Sequence, residues 1–309
     1  MQTAEKYFMT VAEERGISPA ARKLYITQQS LSEQMQKLEQ LMGAKLFLRK
    51  PRFQLTQEGE ALFHALRKIR ILEDGLQAEL SEIRDKQRGR LNIGIHSARA
   101  RCILPQTVAL FRSRYPNVVL NFYNHDTHDF EKMLLNGDLD FFFGVNASDL
   151  PEFRRIRIAS EAAFLVVSAD YLKEVLERDP AEIEVIRRED LERMTLILSQ
   201  QPTNFRLRIN EYLDGLSIAP EQIISVDGYS VQMELASCRV GACFCPQQML
   251  RNALLPRTAR ISGRLLSFPV PEINDSNELF IVTHRQAYVS EYMKTFMDIL
   301  QEECLKNMN

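Results

Sequence analysis

A chain of 309 residues is long enough for two domains with proper cores, and 45% apolar with 26% charged residues marks a globular protein, not a disordered or fibrous one. The longest clean apolar stretch, Ala162 to Val167, falls far short of the ~18–20 residues that span a bilayer, which argues against an integral membrane protein. The net charge of −2 hides an asymmetry: residues 1–90 hold 16 Lys and Arg against 12 Asp and Glu, so the basic end is where a polyanion should bind.

The opening MQTAEKYFMTVAEE is acidic where a secretory leader is basic and then apolar, and the five cysteines are scattered and odd in number. Both features predict a cytoplasmic protein with reduced thiols. In the first segment Tyr7, Phe8, Val11 and Ala12 recur at helical spacing up to Gly16. Ser18 is expected to cap a second helix with Pro19 in its first position. A third helix should run from about Gln28 to Met42, with Thr27 as its cap and Gly43 just past its end. Leu31, Met35, Leu38 and Leu41 form its apolar stripe; Gln28, Gln29, Ser32, Glu33, Gln36 and Lys37 form the opposite, hydrogen-bonding one.

Two short helices joined by a tight turn, the second with this double character, make a helix-turn-helix. Residues 45–56 then read as two short strands around a basic turn, a wing that would set Arg49, Lys50 and Arg52 beside the third helix, over phosphates or a minor groove. The plain alternative is a set of solvated helices and a charged loop. Residues 57–87 predict one long helix, a strut of ~45 Å. Its Leu62, Leu66, Ile69, Leu72, Leu76, Leu80 and Ile83 recur at a mean spacing of 3.5, the coiled-coil period, so it should pair with a second copy; the alternative is packing on its own first domain.

From Arg90 onwards strands alternate with helices. Strands are expected at 91–95, 118–123 and 139–145 with helices at about 98–114 and 127–135, a βαβαβ unit with a largely parallel sheet. A second series has strands near 163–167, 195–198, 223–226, 242–244 and 265–268, and a strand at 279–283 and a helix at 290–304 close the chain. Two open α/β lobes in sequence form a hinged clamp whose ligand sits at the carboxyl ends of the strands.

The stretches Ala20-Ala21-Arg22-Lys23-Leu24, Thr27-Gln28-Gln29-Ser30-Leu31-Ser32, Gly43-Ala44-Lys45-Leu46-Phe47 and Leu55-Thr56-Gln57-Glu58-Gly59 resemble the DNA-binding head of LysR-type transcriptional regulators. The resemblance continues through Gly89-Arg90-Leu91-Asn92-Ile93-Gly94-Ile95, Leu135-Asn136-Gly137-Asp138-Leu139-Asp140 and Ala236-Ser237-Cys238-Arg239-Val240-Gly241-Ala242. It implies an α/β protein with an N-terminal α-helical winged helix-turn-helix at 1–58 and a linker and dimerisation helix at 59–88. A two-lobed effector domain like a periplasmic binding protein follows at 89–309, lobe I being about 90–161 and 269–309 and lobe II about 162–268. It also implies assembly as a dimer through the linker helix and further as a tetramer. The implied partners are double-stranded promoter DNA carrying an interrupted inverted repeat, a small-molecule effector and RNA polymerase. Gln29 stands where the family often has Pro, and Glu33 where a basic residue is frequent, so the operator sequence is left open.

Residues and resemblance together nominate Thr27, Gln28, Gln29, Ser32 and Gln34 for the groove and Lys37, Arg49, Lys50 and Arg52 for the backbone or wing-side groove. For the effector they nominate Ser97, Arg99, Thr127, Asn146, Ser199, Gln200, Gln201 and Asp227; Ser97 stands at a helix start whose hydroxyl and free N–H groups suit an anion and Arg99 adds the charge, while Ser97 and Asp227 can equally serve as helix caps and Arg99 can equally face solvent. No cofactor or metal is expected. His125-Asp126-Thr127-His128-Asp129 fits no zinc spacing and reads better as a capping loop, and Cys238, Cys243 and Cys245 read as small apolar side chains packed in a strand, not redox or zinc groups. No nucleophile-elbow, P-loop, dinucleotide-binding or H-E-x-x-H motif occurs, so no catalytic residue is assigned. A DNA-binding enzyme and a solute-binding protein that has lost DNA recognition remain the alternatives.

Overall fold

The computed structural model describes residues 3–48, 52–84, 88–200, 203–220, 222–254, 264–274 and 277–308. The head comprises α1 (Thr3–Glu13), α2 (Ile17–Lys23) and α3 (Gln28–Met42), followed by strands β1 (Phe47–Leu48) and β2 (Gln54–Leu55), which pair antiparallel. Phe8, Val11, Ala20, Leu31 and Met35 are buried together, and the two small alanines of α2 let the helices meet closely.

Two local expectations change. Helix α2 starts at Ile17 with Gly16 as its cap, and the Ser18 hydroxyl instead donates to Gln28 Oε1 at 2.9 Å. Leu41 is 75% exposed, because ten residues of helix carry it ~80° away from Leu31. On the other flank of the stripe Glu39 is buried against the wing. The caps of α3 are as expected: Thr27 Oγ1 accepts from the Ser30 N–H at 3.2 Å, and Gly43 takes the left-handed conformation with φ 67°.

Helix α4 (Gln57–Arg84) packs within its own chain at both ends. Leu62 and Phe63 pack with buried Leu66 on the core of the head. A second face is held by the effector region: Arg70 pairs with Asp138 at 2.8 Å, Arg67 Nε donates to the Leu135 carbonyl at 2.7 Å, and buried Glu82 accepts from Tyr288 Oη at 2.8 Å and the Glu291 N–H at 2.9 Å. The stripe itself, Ile69, Leu72, Leu76, Leu80 and Ile83, stays exposed, at 39 to 74%.

The effector region runs β3 (Arg88–Ile95), α5 (Ser97–Arg114), β4 (Asn117–Tyr123), α6 (Thr127–Asn136), β5 (Phe141–Val145) and β6 (Phe153–Ser160). Then come β7 (Ala163–Ser168), α7 (Ala169–Leu176), α8 (Arg188–Glu192), β8 (Thr195–Leu198), α9 (Asn204–Gly215), β9 (Gln222–Ser225), α10 (Tyr229–Ser237), β10 (Ala242–Pro246) and α11 (Gln247–Leu254). It closes with β11 (Leu265–Pro269), α12 (Pro271–Asn274), β12 (Glu278–His284) and α13 (Glu291–Met308). Strand β6 lay unassigned in the sequence, its Arg154, Arg155 and Arg157 masking an edge strand.

One sheet has the order β4-β3-β5-β12-β6 and the other β11-β7-β10-β8-β9. Each is parallel but for one strand: β12 opposes β5 and β6, and β7 opposes β10 and β11. The odd strands are those that follow a passage between the sheets, at 161–162 and at 270–277. The two passages touch, the Glu161 N–H donating to the Asn277 carbonyl at 2.9 Å. Phe141, Phe142 and Phe143 on β5 are fully buried, the first and third against α5 and α13, the second against α6. The second sheet buries its own core, with Leu165, Leu196, Phe205 and Phe244 at its centre.

Candidate nucleic-acid interface and effector cleft

The outer face of α3 carries Gln28, Gln29, Glu33, Gln36 and Lys37 in the open, with Ser32 and Gln34 half-buried and Thr27 exposed at the helix start. The Ser18 hydroxyl donates to the Gln28 amide oxygen, which leaves the amide N–H groups as the donors of that side chain. Gln29 Nε2 donates to Glu33 Oε1 at 3.2 Å, so the acid that departs from the family pattern is partly occupied within the helix.

The wing is tied to this helix by Glu39, whose carboxylate accepts from the Leu46 N–H at 3.0 Å and from Lys45 Nζ at 2.8 Å. Burial works to raise its pKa, but these two donors outweigh it and hold the carboxyl below its ordinary value. Arg52 is exposed just before β2; Arg49 and Lys50, also nominated, lie outside the described residues.

Tyr25 was not nominated from the sequence. It sits in the turn that feeds α3, 95% exposed and with φ 56°, a conformation costly for a bulky residue. An aromatic residue in a helix-turn-helix turn was the signal available.

Between the lobes lies a cavity of about 300 Å³, walled by Phe130 and Phe143 from one side and Phe205, Tyr229 and Met249 from the other. Of the nominated effector residues, Arg99 and Thr127 line it. Arg99 does not offer a free charge. It is 7% exposed and donates to Glu161 Oε2 at 2.7 Å and to Gln248 Oε1 at 2.9 Å, while Glu161 Oε1 accepts the Gln248 N–H at 2.9 Å. Burial disfavours the guanidinium charge, yet the adjacent Glu161 carboxylate more than compensates and raises the Arg99 pKa. The expectation of an anionic effector rested on Arg99 as an unspent cation, and Glu161 removes that basis.

Ser97, Asn146, Ser199, Gln200 and Asp227 do not line the cavity, each for a structural reason. Ser97 is exposed and its N–H is taken by Asn124 Oδ1 at 2.7 Å, which fills the proposed anion position at the helix start. Asn146 bridges strands, its Oδ1 accepting from the Glu278 N–H at 2.9 Å. Asp227 accepts from Ser199 Oγ at 2.7 Å and from the Gln200 N–H at 3.0 Å, a loop-to-loop tie within the second lobe. Gln201 lies outside the described residues.

His96, Asp126, Asn204 and Asn277 line the cavity without having been nominated. His96 caps α5 by accepting the Ala98 N–H on Nδ1 at 3.3 Å; burial, helped by the nearby Arg99 charge, lowers its pKa, so it is a neutral ring with its hydrogen on Nε2. Asp126 caps α6 by accepting the Asp129 N–H at 2.9 Å, as the capping reading of that loop expects.

The amino-terminal residues 4–60 match the family model described as a bacterial regulatory helix-turn-helix protein of the lysR family, and residues 84–305 match the LysR substrate binding domain. The chain belongs to the LysR family. Among its relatives, a probable RuBisCO transcriptional regulator of Cyanidioschyzon merolae is 25% identical over 304 residues, covering 94% of each chain. A probable cat1 operon transcriptional activator of Acinetobacter lwoffii is 24% identical, covering 96% of this chain and 94% of its own. A full-length OxyR variant from Pseudomonas aeruginosa shares the fold with a TM-score of 0.65 at 18% identity, covering 98% of this chain and 94% of its own. CbnR in complex with its target DNA does so with a TM-score of 0.56 at 18% identity, covering 98% and 100%.

This LysR-family transcriptional regulator therefore pairs a helix-turn-helix head with a two-lobed substrate-binding domain. Cys243 and Cys245 lie buried in β10, where desolvation pushes the Cys243 thiol up to about 12 and raises Cys245 as well, whereas Cys238 caps the end of α10 and is exposed, outside the strand in which the sequence reading packed it. Among the described residues no three His, Cys, Asp or Glu side chains gather closely enough to hold a metal ion, and no helix is long and apolar enough to cross a membrane.

Proposed function

We propose that this regulator reads an interrupted inverted repeat in promoter DNA as a dimer, and that a small molecule held between its lobes alters how the dimer sits on that DNA. The observation that carries the first half is the polar face of α3, backed by buried Leu31, Met35 and Leu38 and flanked by a wing pinned through Glu39. In this reading Gln28, Gln29 and Ser32 meet base edges in the major groove, with Thr27 and Gln34 at its margin. Lys37, Arg49, Lys50 and Arg52 meet phosphates, and Tyr25 joins them from the turn.

Residues 1–58 act as the reading head, 59–88 as the dimerising linker and 89–309 as the effector domain. The exposed stripe from Ile69 to Ile83 supports pairing of linkers, because an apolar row of that length on one helix face is best hidden against its own copy. Two heads then address two half-sites. A tetramer built on a second interface, RNA polymerase as downstream partner and a cytoplasmic location complete the reading, which assigns no turnover to the cleft.

The cavity supports the second half. Arg99 on α5 meets Gln248 on α11 across it, and Arg101 Nη1 meets Ser230 Oγ at 2.6 Å, so both links join the two lobes. A ligand that favours one separation of the lobes shifts the equilibrium by its difference in affinity for the two states. Helix α4 is bonded to lobe I through Arg70 and Glu82, which gives lobe movement a route to the linker.

Selection of binding sites from random duplexes tests the DNA half. An inverted repeat should emerge, and Gln28→Ala should change the preferred bases within the half-site; selection of no motif would remove the reading. A thermal-shift screen of metabolites tests the cleft, since a true effector should lose its effect when Ala98→Trp fills the cavity.

A further inference from the structure

The cleft contains a buried polar group that none of the described residues answers. Asn277 is 2% exposed, lines the cavity, and its Nδ2 has no hydrogen-bond partner among the described residues. A buried amide N–H without a partner forfeits ~1–3 kcal/mol, so such a group marks a place where something else accepts from it. Its position matters as well: Asn277 ends the second passage between the lobes, and its carbonyl accepts from Glu161 on the first. A ligand bonded to this amide touches the hinge itself.

The surroundings narrow the chemistry. The Arg99 charge is matched by Glu161, so this cation and anion cancel at the floor of the cleft. Arg206, whose buried Nη1 also has no partner among the described residues, lines a neighbouring void of about 10 Å³ that shares Thr203, Phe205 and Tyr229 with the cavity, and does not line the cavity itself. His96 is neutral. Among the described residues that line the cavity Arg99 is the only Lys or Arg, and His128, the other basic side chain besides His96, is exposed to solvent, so a carboxylate would stand beside Asp126 with no unspent guanidinium or ammonium to meet it. Tyr229, whose pKa burial raises, offers a neutral hydroxyl near the same space. The walls are aromatic on both lobes, and about 300 Å³ is at the lower end of ligand pockets, enough for a single small ring system.

We infer that the effector is an uncharged, small aromatic molecule bearing a carbonyl-type acceptor, which bonds to the Asn277 amide while its ring lies between Phe143 and Phe205. A carboxamide fits this arrangement best. Its oxygen accepts from Asn277, and its own N–H groups are donors of the kind that Asp126 accepts, a carboxylate that lines the same cavity with one oxygen engaged in capping α6. The inference rests on the reading of the cleft as the effector site.

The test uses matched probes on the purified full-length protein at pH 7.5: benzamide against benzoate, and nicotinamide against nicotinate, followed by ligand-observed saturation-transfer NMR and thermal shift. The amides should bind at least about tenfold more tightly than the acids, and both Asn277→Asp and Asn277→Ala should weaken amide binding by about tenfold or more. Cooperative urea unfolding of both variants verifies that they fold. Equal or tighter binding of the acids, unchanged amide binding in both variants, or binding of none of the four compounds would overturn the inference. Ala98→Trp separates the two readings: acid binding that this variant abolishes retains the cleft and refutes the neutral ligand, whereas amide binding that it leaves intact refutes the cleft.

Discussion

Removal of one partner from the Arg99–Glu161 pair should destabilise the protein far more than removal of both. The two charges stand 2.7 Å apart with 7% and 1% of their residues exposed, so their gross attraction at an effective dielectric of ~20 is about 6 kcal/mol. Desolvation of each ion consumes most of that, and the net value of the pair is close to zero. A lone charge keeps the desolvation cost without the attraction. Arg99→Met and Glu161→Gln should therefore each lower the unfolding free energy by about 3–5 kcal/mol, while the double variant should recover at least half of that loss. Urea denaturation of the four proteins, completing a double-mutant cycle, reads the coupling directly. Single losses below about 1 kcal/mol, or a double variant equal to the sum of the singles, would refute the idea that this pair is a self-contained neutral unit at the hinge.

Asp140 should give a pH signature. Burial, opposed by the Asn92 N–H at 2.6 Å, moves its pKa up to about 6, above the unfolded value, so its contribution to stability is complete below about pH 4 and is lost as pH rises to about 6. The shift sets a ceiling of about 3 kcal/mol, and partial solvent access reduces the expectation to about 1; Asp140→Asn should be more stable than wild type by that amount at pH 7.5 and should gain nothing at pH 4, as urea midpoints at the two pH values would show. Leu76→Glu, in the middle of the exposed linker stripe, should remove about 1.5 kcal/mol of burial per copy and weaken dimerisation about 100-fold in sedimentation equilibrium; an unchanged dimer would place the interface elsewhere. Tyr25→Asn should leave the melting temperature equal or higher, because Asn tolerates the positive φ, yet reduce DNA affinity in a gel-shift titration; full affinity would remove Tyr25 from the interface.

What the sequence revealed depended on how local the signal was. Helix α3 was legible at both ends because Thr27 and Gly43 act within a turn of where they stand, and the wing because its strands are a few residues apart. Leu41 was misjudged because a stripe of leucines does not say where the neighbouring layer stops. The cleft was legible only as a location. Thr127 follows a strand and was nominated on that ground, but Glu161 lies in the first passage between the sheets, Gln248 beyond it and Asn277 at the end of the second, so that only the folded chain brings them to Arg99 or the cavity. Arg99 itself was placed correctly and valued wrongly: its partner Glu161 is 62 residues away, and no local pattern shows that its charge is already matched.

The central claim is that the basic head reads DNA by sequence through α3 and grips it by phosphate contacts. The most direct test is a footprint on the DNA immediately upstream of the protein's own gene, titrated between about 50 and 200 mM salt with wild type, Arg49→Ala and Gln28→Ala. The account predicts protection of an interrupted inverted repeat with affinity that falls steeply with salt, a shallower slope for Arg49→Ala, and altered sequence preference for Gln28→Ala. Weak protection that ignores sequence and persists unchanged in both variants, there and on sites selected genome-wide, would contradict it.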